Sequence, residues 1–184
     1  MADAKKAIDF MLHQEDSTLS GVVTGAVDDK GGCTRFGLCA KWHPDLVKCG
    51  FFDAMKWPQE RALSIAEETY DHDYSTALRI EALSSDAVAC AMLSFAVIDG
   101  TGTAIALLRN ALNTFGYKLA VDAAPEDAAT FAAETEVPDT QLVPALVQHQ
   151  RARFERIVAN DPSQAKWLKG WENRAEQVLA LVGK

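Results

Sequence analysis

Near its N-terminus the chain reads Ala7-Ile8-Asp9-Phe10-Met11-Leu12-His13-Gln14-Glu15. Apolar residues recur here at intervals of three and four, which predicts an amphipathic helix over residues 3–14. Glu15 stands at the C-terminal end of that helix, where the helix dipole disfavours negative charge. A partly buried carboxyl group in such a place tends to keep its proton at higher pH, as general acid catalysis requires. The alternative is a solvated helix-end carboxylate.

A glycine-bearing loop follows and reads Asp29-Lys30-Gly31-Gly32-Cys33-Thr34-Arg35-Phe36-Gly37. Its paired glycines, Gly31 and Gly32, predict a tight turn that a substrate can approach closely, although an ordinary surface turn has the same pattern. Asp29 and Thr34 together can orient a water molecule opposite Glu15. A proton donor on one side and a water on the other are the groups that break a glycosidic bond. The sequence leaves open an inverting pair, with carboxyls about 6.5–9.5 Å apart, and a closer retaining pair.

Most of the remaining sequence has helical periodicity, which predicts a mainly α protein. Glycines and Pro44 interrupt this pattern, so we expect at most a small β element in residues 16–57. Residues 116–138 predict a looser segment, and Gly170 is expected to separate two short final helices. Further helices are predicted over residues 58–74, 87–97, 103–113 and 139–159. Asp86 is the expected N-cap of the helix over residues 87–97.

Composition and charge limit the classes of function. The chain has 184 residues, of which 48% are hydrophobic and 24% charged, as is typical of a globular protein with one core or two lobes. A formal net charge of −8 argues against nucleic acid as a partner, because phosphate binding needs clustered Lys and Arg. No apolar run approaches the roughly 20 residues that span a bilayer, and no secretion signal is evident. We therefore expect synthesis in the cytoplasm without a signal peptide.

The residue types that bind metals or act as nucleophiles form no recognisable set. The cysteines, Cys33, Cys39, Cys49 and Cys90, include no C-x-x-C pair, so we expect reduced thiols and no zinc site, and a Cys39–Cys49 disulfide stays open. No nucleophile is accompanied by a His and Asp constellation, and no P-loop or dinucleotide fingerprint is present. The sequence therefore predicts neither a cofactor nor a metal.

Three other groups of residues are candidates for the lining of a site. His72 lies within Tyr70-Asp71-His72-Asp73-Tyr74, a stretch that we interpret as a solvated helix end rather than as metal ligands or an acid–base pair. Trp42 and His43 are expected to line a cleft. Trp167 and Trp171 lie one helical turn apart and either stack on sugar rings or pack in the core.

The helix and the glycine loop together resemble the family 108 glycoside hydrolases, which are phage-type N-acetylmuramidases. Members begin with a helix of the form A-[LI]-x-F-[VM]-L-x-x-E, which is similar to residues 7–15 position by position. The family's D-P-G-G-x-T-x-x-G loop is similar to residues 29–37. The resemblance implies a lysozyme-like helical domain that needs no cofactor. It also implies catalytic roles for Glu15, Asp29 and Thr34, and substrate-binding roles for Gly31, Gly32, Gly37, Tyr70 and Asp99.

The resemblance continues toward the C-terminus. Residues 66–74 resemble A-x-x-[IV]-Y-x-x-x-Y-W, residues 95–100 resemble F-x-x-V-N-x-G, and residues 104–112 resemble A-x-x-L-Q-x-A-L. The last matching part, R-x-x-[FY] with G-W-x-x-R, falls on residues 151–154 and 170–174. Such C-terminal halves are described as peptidoglycan-binding. The resemblance therefore implies a catalytic lobe over residues 1–85 and a helical, peptidoglycan-binding lobe over residues 86–184, packed as one compact unit.

The sequence departs from the family at three places. Two glycines and an aromatic residue usually follow the essential Glu, but here the chain reads Asp16-Ser17-Thr18-Leu19-Ser20, and the stretch before the glycine loop is about five residues longer. Lys30 replaces the family's proline, and Ile98 stands where an Asn is expected. These differences concern contacts around the substrate rather than Glu15, Asp29 or Thr34 themselves.

The implied function is hydrolysis of the β-1,4 bond between N-acetylmuramic acid and N-acetylglucosamine in peptidoglycan glycan strands. The protein would act in the periplasm or cell wall, as a phage endolysin released through a holin or as an antibacterial effector delivered by a machine such as type VI secretion. An effector would also need an immunity protein, and the acidic charge is compatible with a delivery adaptor. The main alternative is a catalytically inactive peptidoglycan-binding or structural protein of the same fold. Amidase or peptidase action on the stem peptide is a weaker one.

Overall fold

The computed structural model describes residues 1–25, 32–122 and 127–182. Helices dominate this part of the chain, which confirms the predicted mainly α class. Contacts divide the chain into two compact units. We call residues 8–73 the hairpin unit, and residues 1–7 with 74–184 the helical unit.

The hairpin unit is named for a small antiparallel β element. Helix α1 (Ala4–Glu15) precedes this β element in the chain. Strands β1 (Thr34–Arg35) and β2 (Leu38–Cys39) pair with each other inside the residue 16–57 region, as predicted. Helices α2 (Pro44–Cys49) and α3 (Gln59–Tyr70) follow. A π-helical turn, Asp71–Ser75, continues α3.

The helical unit surrounds one helix that is apolar on every side. The α-helices of this unit are α4 (Thr76–Leu78), α5 (Asp86–Asp99), α6 (Thr101–Asn113), α7 (Ala128–Glu136), α8 (Asp139–Asn160) and α9 (Leu168–Leu179). Every residue from 88 to 96 in α5 is buried, as expected of a helix without a polar face. Helices α6, α8 and α9 pack against α5. Short 3-10 turns, Ile80–Ala82 and Pro162–Trp167, precede α5 and α9.

Two predicted details of the helical unit are wrong. Ser85, not Asp86, caps α5, because the Ser85 hydroxyl accepts a hydrogen bond from the Ala87 N–H at 3.2 Å. Gly170 separates no helices: α9 runs through it, and the break lies before Leu168, where the 3-10 turn ends. A glycine inside a helix costs only about 1 kcal/mol, which the packing of α9 against α8 offsets.

One helix forms inside the segment predicted to be looser. Asp127 begins α7, and its side chain accepts a hydrogen bond from the Ala129 N–H at 3.0 Å. Glu134 from the same helix is buried, and its carboxylate accepts hydrogen bonds from the Ser84 backbone N–H at 3.0 Å and the Ser84 hydroxyl at 2.9 Å. These contacts fasten α7 to the turn before α5.

The β hairpin closes in a two-residue turn at Phe36 and Gly37. Both residues have positive φ, +50° and +78°, as the twist of a two-residue hairpin demands. Phe36 is a bulky residue in the left-handed region, so the surrounding structure must hold it there. On the outer edge, Thr24 and Thr34 each donate a backbone hydrogen bond to the other's carbonyl, at 2.9 and 2.8 Å. A single-residue bridge at Thr24 therefore extends the hairpin on the outer edge of β1.

The Arg35 side chain lies buried beneath this hairpin, with the whole residue only 3% exposed. Its Nε donates to the Gly21 carbonyl at 2.8 Å, its Nη1 to the Phe51 carbonyl at 2.8 Å, and its Nη2 to the Trp57 carbonyl at 3.0 Å. The guanidinium carbon also lies 5.6 Å from the centre of the Phe51 ring. One cation therefore joins the hairpin to two other segments of the unit, the loop at Gly21 and the connection between α2 and α3.

We predict that Arg35→Lys lowers the free energy of unfolding by about 2–5 kcal/mol. A lysine ammonium cannot reproduce the three-way fork, and each buried carbonyl left without a donor costs about 1–3 kcal/mol. Urea unfolding followed by tryptophan fluorescence measures the effect. The matched control is Arg61→Lys, an exposed arginine 5.7 Å from the Trp57 ring, which should cost less than about 1 kcal/mol. Equal urea midpoints for the two variants would contradict the anchoring role of Arg35.

Candidate functional site

Glu15, the last residue of α1, lies against the turn of the hairpin. A Cβ atom at Gly37 would stand 2.7 Å from the Glu15 carboxyl carbon and 2.7 Å from the Tyr70 hydroxyl oxygen. The glutamate, the turn and the tyrosine can meet only because residue 37 has no side chain. Glu15 is half-buried in this position.

Tyr70 supports the turn from below. It is fully buried at the end of α3, and its hydroxyl donates a hydrogen bond to the Phe36 carbonyl at 2.9 Å. This bond holds the strained turn in the conformation that brings Gly37 against Glu15. The contact was not evident from the sequence, because it joins residues 34 positions apart.

A cleft of about 440 Å³ opens beside Glu15, and we call it the Glu15 cleft. Its volume falls in the range of ordinary ligand pockets, about 300–1,000 Å³. Three of the residues predicted for the site, Glu15, Thr34 and Gly37, meet here. The complete lining is Glu15, Asp16, Ser17, Ser20, Val22, Thr24, Thr34, Phe36 and Gly37.

Asp16 organises the loop that follows Glu15. Its Oδ2 accepts hydrogen bonds from the Gly21 N–H at 2.8 Å and the Ser20 hydroxyl at 2.9 Å, and its Oδ1 accepts one from the Thr18 hydroxyl at 3.3 Å. Partial burial opposes the charge, but these hydrogen bonds outweigh it and lower the pKa of Asp16. An ionised carboxylate therefore stands beside Glu15 and closes the loop on itself. The signal was in the sequence, since Asp with nearby Ser and Thr is typical of side-chain-closed turns.

The other predicted site residues lie in different surroundings. Gly32 precedes β1 with φ +72°, and a Cβ there would lie 3.3 Å from the Ala40 Cβ. Asp29 and Gly31 lie outside the described residues, and their roles stay predictions.

Asp99 belongs to the helical unit, at the end of α5. Its side chain is 5% exposed, and its Oδ1 lies 3.0 Å from the Arg153 Nε, an ion pair without hydrogen-bond alignment. Its Oδ2 accepts a hydrogen bond from the Gln150 amide at 2.7 Å. The carboxylate thus connects α5 to α8.

Neither metal-ligating nor membrane-spanning features occur in the part of the chain that the structure describes. Within residues 1–25, 32–122 and 127–182, no group of three or more His, Cys, Asp or Glu side chains is placed to hold a metal ion. None of the helices in those ranges combines the length and the apolar character that crossing a bilayer demands.

Comparison with known proteins gives two likenesses. Residues 103–176, which run from α6 to α9, match a family described as "Predicted Peptidoglycan domain". This match supports association of the protein with peptidoglycan. The fold is similar to that in "Structure of Brucella abortus SagA", with a TM-score of 0.69 and 19% sequence identity over 97% of this chain and 92% of that chain. At this identity the likeness shows the fold. No match to a curated protein is found.

We predict that Gly37→Ala destabilises the protein more than Gly116→Ala does. Both glycines have positive φ, +78° and +95°, so both substitutions incur a left-handed strain of about 1–2 kcal/mol. Nothing lies within 4 Å of a Cβ at Gly116, whereas one at Gly37 would meet Glu15 and Tyr70. The overpacking should cost about 1–3 kcal/mol more in urea unfolding. Equal losses of unfolding free energy in the two variants would show that the Glu15 side chain does not pack against the turn.

We also predict that the stability difference between the native protein and Asp16→Asn depends on pH. The folded state lowers the pKa of Asp16 from 3.8, so its charge contributes stability above that pH. The contribution disappears as the pH falls through the lower pKa of the folded state. Thermal unfolding of both proteins between about pH 7 and pH 2 should therefore show a gap that narrows in acid. A gap that stays constant with pH would contradict the stabilising role of the charge.

Proposed function

We propose that the protein is a peptidoglycan hydrolase of the N-acetylmuramidase type, which cleaves the β-1,4 bond between N-acetylmuramic acid and N-acetylglucosamine. The observation that carries this proposal is the Glu15 cleft, in which a half-buried carboxyl group faces the same cavity as Thr34. The peptidoglycan-domain match over residues 103–176 supports the choice of substrate. The resemblance of residues 7–15 and 29–37 to family 108 supports the type of reaction.

In the proposed mechanism Glu15 is the general acid. Its carboxyl group protonates the glycosidic oxygen as the bond to the anomeric carbon breaks, so that the leaving sugar departs as a neutral alcohol. Gly37 and Tyr70 fix the turn against which the carboxyl lies, which keeps the acid in one position. Positioned general acids contribute about 10²–10⁴-fold to the rate.

Thr34 and Asp29 are the proposed water-positioning pair. The backbone of Thr34 is held on both edges, by Thr24 on one side and by pairing with Cys39 on the other. Its hydroxyl therefore projects from a fixed strand and not from a loose loop. Asp29 supplies the carboxylate that activates the water or stabilises the oxocarbenium charge, and Gly31 and Gly32 shape the loop that carries it.

For two residues the surroundings suggest supporting roles. Tyr70 is fully buried, so we propose that it acts on the substrate indirectly, through the turn. Asp99 is engaged by Gln150 and Arg153, and we propose that it fastens α5 to α8. The helical unit carries the peptidoglycan-domain match and would hold the protein on the wall.

The proposed setting is the periplasmic cell wall. A phage endolysin would reach it through a holin, and an antibacterial effector through a secretion system such as type VI, with an immunity protein and an adaptor as partners. The glycan strand itself is the partner in both cases.

One observation favours a second candidate, a peptidoglycan-binding protein without catalysis. In family 108 two glycines and an aromatic residue usually follow the essential Glu. Here Asp16 and its hydrogen-bond donors occupy that stretch and border the Glu15 cleft. This loop changes the surface that a sugar would meet beside the acid.

We predict that Glu15→Gln abolishes the release of reducing ends from purified peptidoglycan, with a loss of at least about 10²-fold. The amide keeps the shape of the side chain, but its N–H groups are far too weakly acidic to protonate the leaving oxygen. Glu67→Gln is the matched control, because Glu67 is exposed on α3 and does not line the Glu15 cleft. It should keep the native rate.

Binding to isolated sacculi separates the two candidates. A native protein that binds sacculi and releases no reducing ends would support the non-catalytic candidate. Full activity in Glu15→Gln would reject Glu15 as the acid.

A further inference from the structure

The hairpin unit contains a second cavity, of about 360 Å³, which we call the His43 cleft. It shares no lining residue with the Glu15 cleft. The segment entering α2 forms one side, and α3 with the following π-helical turn forms the other. The lining residues are Trp42, His43, Pro44, Asp45, Leu46, Ile65, Glu68, Thr69, His72 and Asp73.

Trp42 gives this cleft a flat apolar surface. The residue is 71% exposed, and the Lys41 ammonium lies 4.8 Å from the centre of its ring. Packing leaves most of this indole uncovered, and α2, which begins two residues later, has no buried residues of its own. By contrast Trp57 is fastened in place, since its indole N–H donates to the Cys49 carbonyl at 3.1 Å.

The opposite side of the cleft carries a carboxylate between two imidazoles. Asp73 Oδ1 lies 2.7 Å from the His72 Nδ1, and its Oδ2 lies 3.6 Å from the His43 Nδ1. Only 12% of the His43 side chain is exposed. Burial lowers the pKa of His43 against the opposing effect of Asp73, which favours a neutral ring with one donor and one acceptor. The π-helical turn that carries Asp73 is a rare conformation found often at functional sites.

The acidic residues of the cleft are engaged in different ways. Asp45 pairs with Lys48 at 3.0 Å, and the Asp73 carboxylate contacts two imidazoles. Glu68 accepts a hydrogen bond from the Ser64 hydroxyl at 3.3 Å. A cationic ligand is therefore the alternative that the test has to exclude. These side chains form no set of three that could hold a metal ion, as is true throughout the described ranges. What they offer is a stacking surface beside hydrogen-bond donors and acceptors.

We propose that the His43 cleft is a binding site for a saccharide ring. The apolar face of the sugar would lie on the Trp42 indole, and its hydroxyl groups would bond to the Asp73 carboxylate and the His43 imidazole. This site would bind glycan without cleaving it, and its identification with a peptidoglycan strand rests on the proposed function. Binding of a free oligosaccharide does not depend on that function.

The test is a titration of the ¹⁵N-labelled protein with chitotetraose, the β-1,4-linked tetramer of N-acetylglucosamine, followed through the tryptophan indole N–H signals. The signal that is missing in Trp42→Ala identifies Trp42. We expect that signal to shift on addition of the sugar. Trp57 is the control, since it lies in the same unit, its indole N–H is held by the Cys49 carbonyl at 3.1 Å, and it lines neither the Glu15 cleft nor the His43 cleft. Its signal should not move with that of Trp42.

Two variants measure the strength of the site. Trp42→Ala should weaken binding of chitotetraose about tenfold or more, as expected when one aromatic anchor is removed. Asp73→Asn should also weaken it, whereas Met55→Ala, at a side chain of the same unit that is exposed and lies outside the cleft, should leave the affinity unchanged. Circular dichroism of each variant confirms folding.

The saccharide site and the proposed hydrolase activity can be rejected independently of each other. A Trp42 signal that stays in place while chitotetraose binds elsewhere, or that responds only to a cationic probe such as trilysine, would overturn the saccharide site. Hydrolysis by the native protein would be unaffected by that result. A Trp42 signal that shifts in a protein releasing no reducing ends would support the saccharide site and reject the hydrolase.

Discussion

The hairpin unit depends on the hydrogen bonds that the buried guanidinium of Arg35 donates. A charge removed from water is tolerated only when its donors find partners, and here the carbonyls of Gly21, Phe51 and Trp57 supply them. Arg35 pairs with Leu38 across the hairpin, so fixing its side chain also fixes the turn between them. The wall of the Glu15 cleft is therefore set by an interaction that never touches the cleft.

The strain at Phe36 and the close approach of Gly37 to Glu15 follow from the anchoring of Arg35. Phe36 adopts a left-handed conformation that a bulky side chain disfavours, and Tyr70 holds its carbonyl there. Gly37 then lies so near Glu15 that no side chain fits between them. The proposed general acid would have to be held in place before the substrate arrives, and this arrangement of turn, tyrosine and glycine would provide that constraint.

Long, periodic elements could be predicted from the sequence, and contacts between distant residues could not. The stripes in α1 and α8 gave both helices within a few residues, because their apolar faces repeat over several turns. Helix α7 was missed since its sequence is rich in alanine without a clear stripe. Glu15 and Thr34 were predicted from the helix end, the glycine loop and the family resemblance, and the structure places both in one cleft. The partners of Arg35 lie 14 to 22 positions away and leave no local pattern.

The most direct test of the proposed hydrolase is the identity of the sugar at the ends that it creates. Peptidoglycan digested by the native protein would be reduced with borohydride and hydrolysed, and the resulting sugar alcohols would be identified by mass spectrometry. Cleavage after N-acetylmuramic acid predicts muramitol. Glucosaminitol in its place, or anhydro ends that resist reduction, would contradict the account.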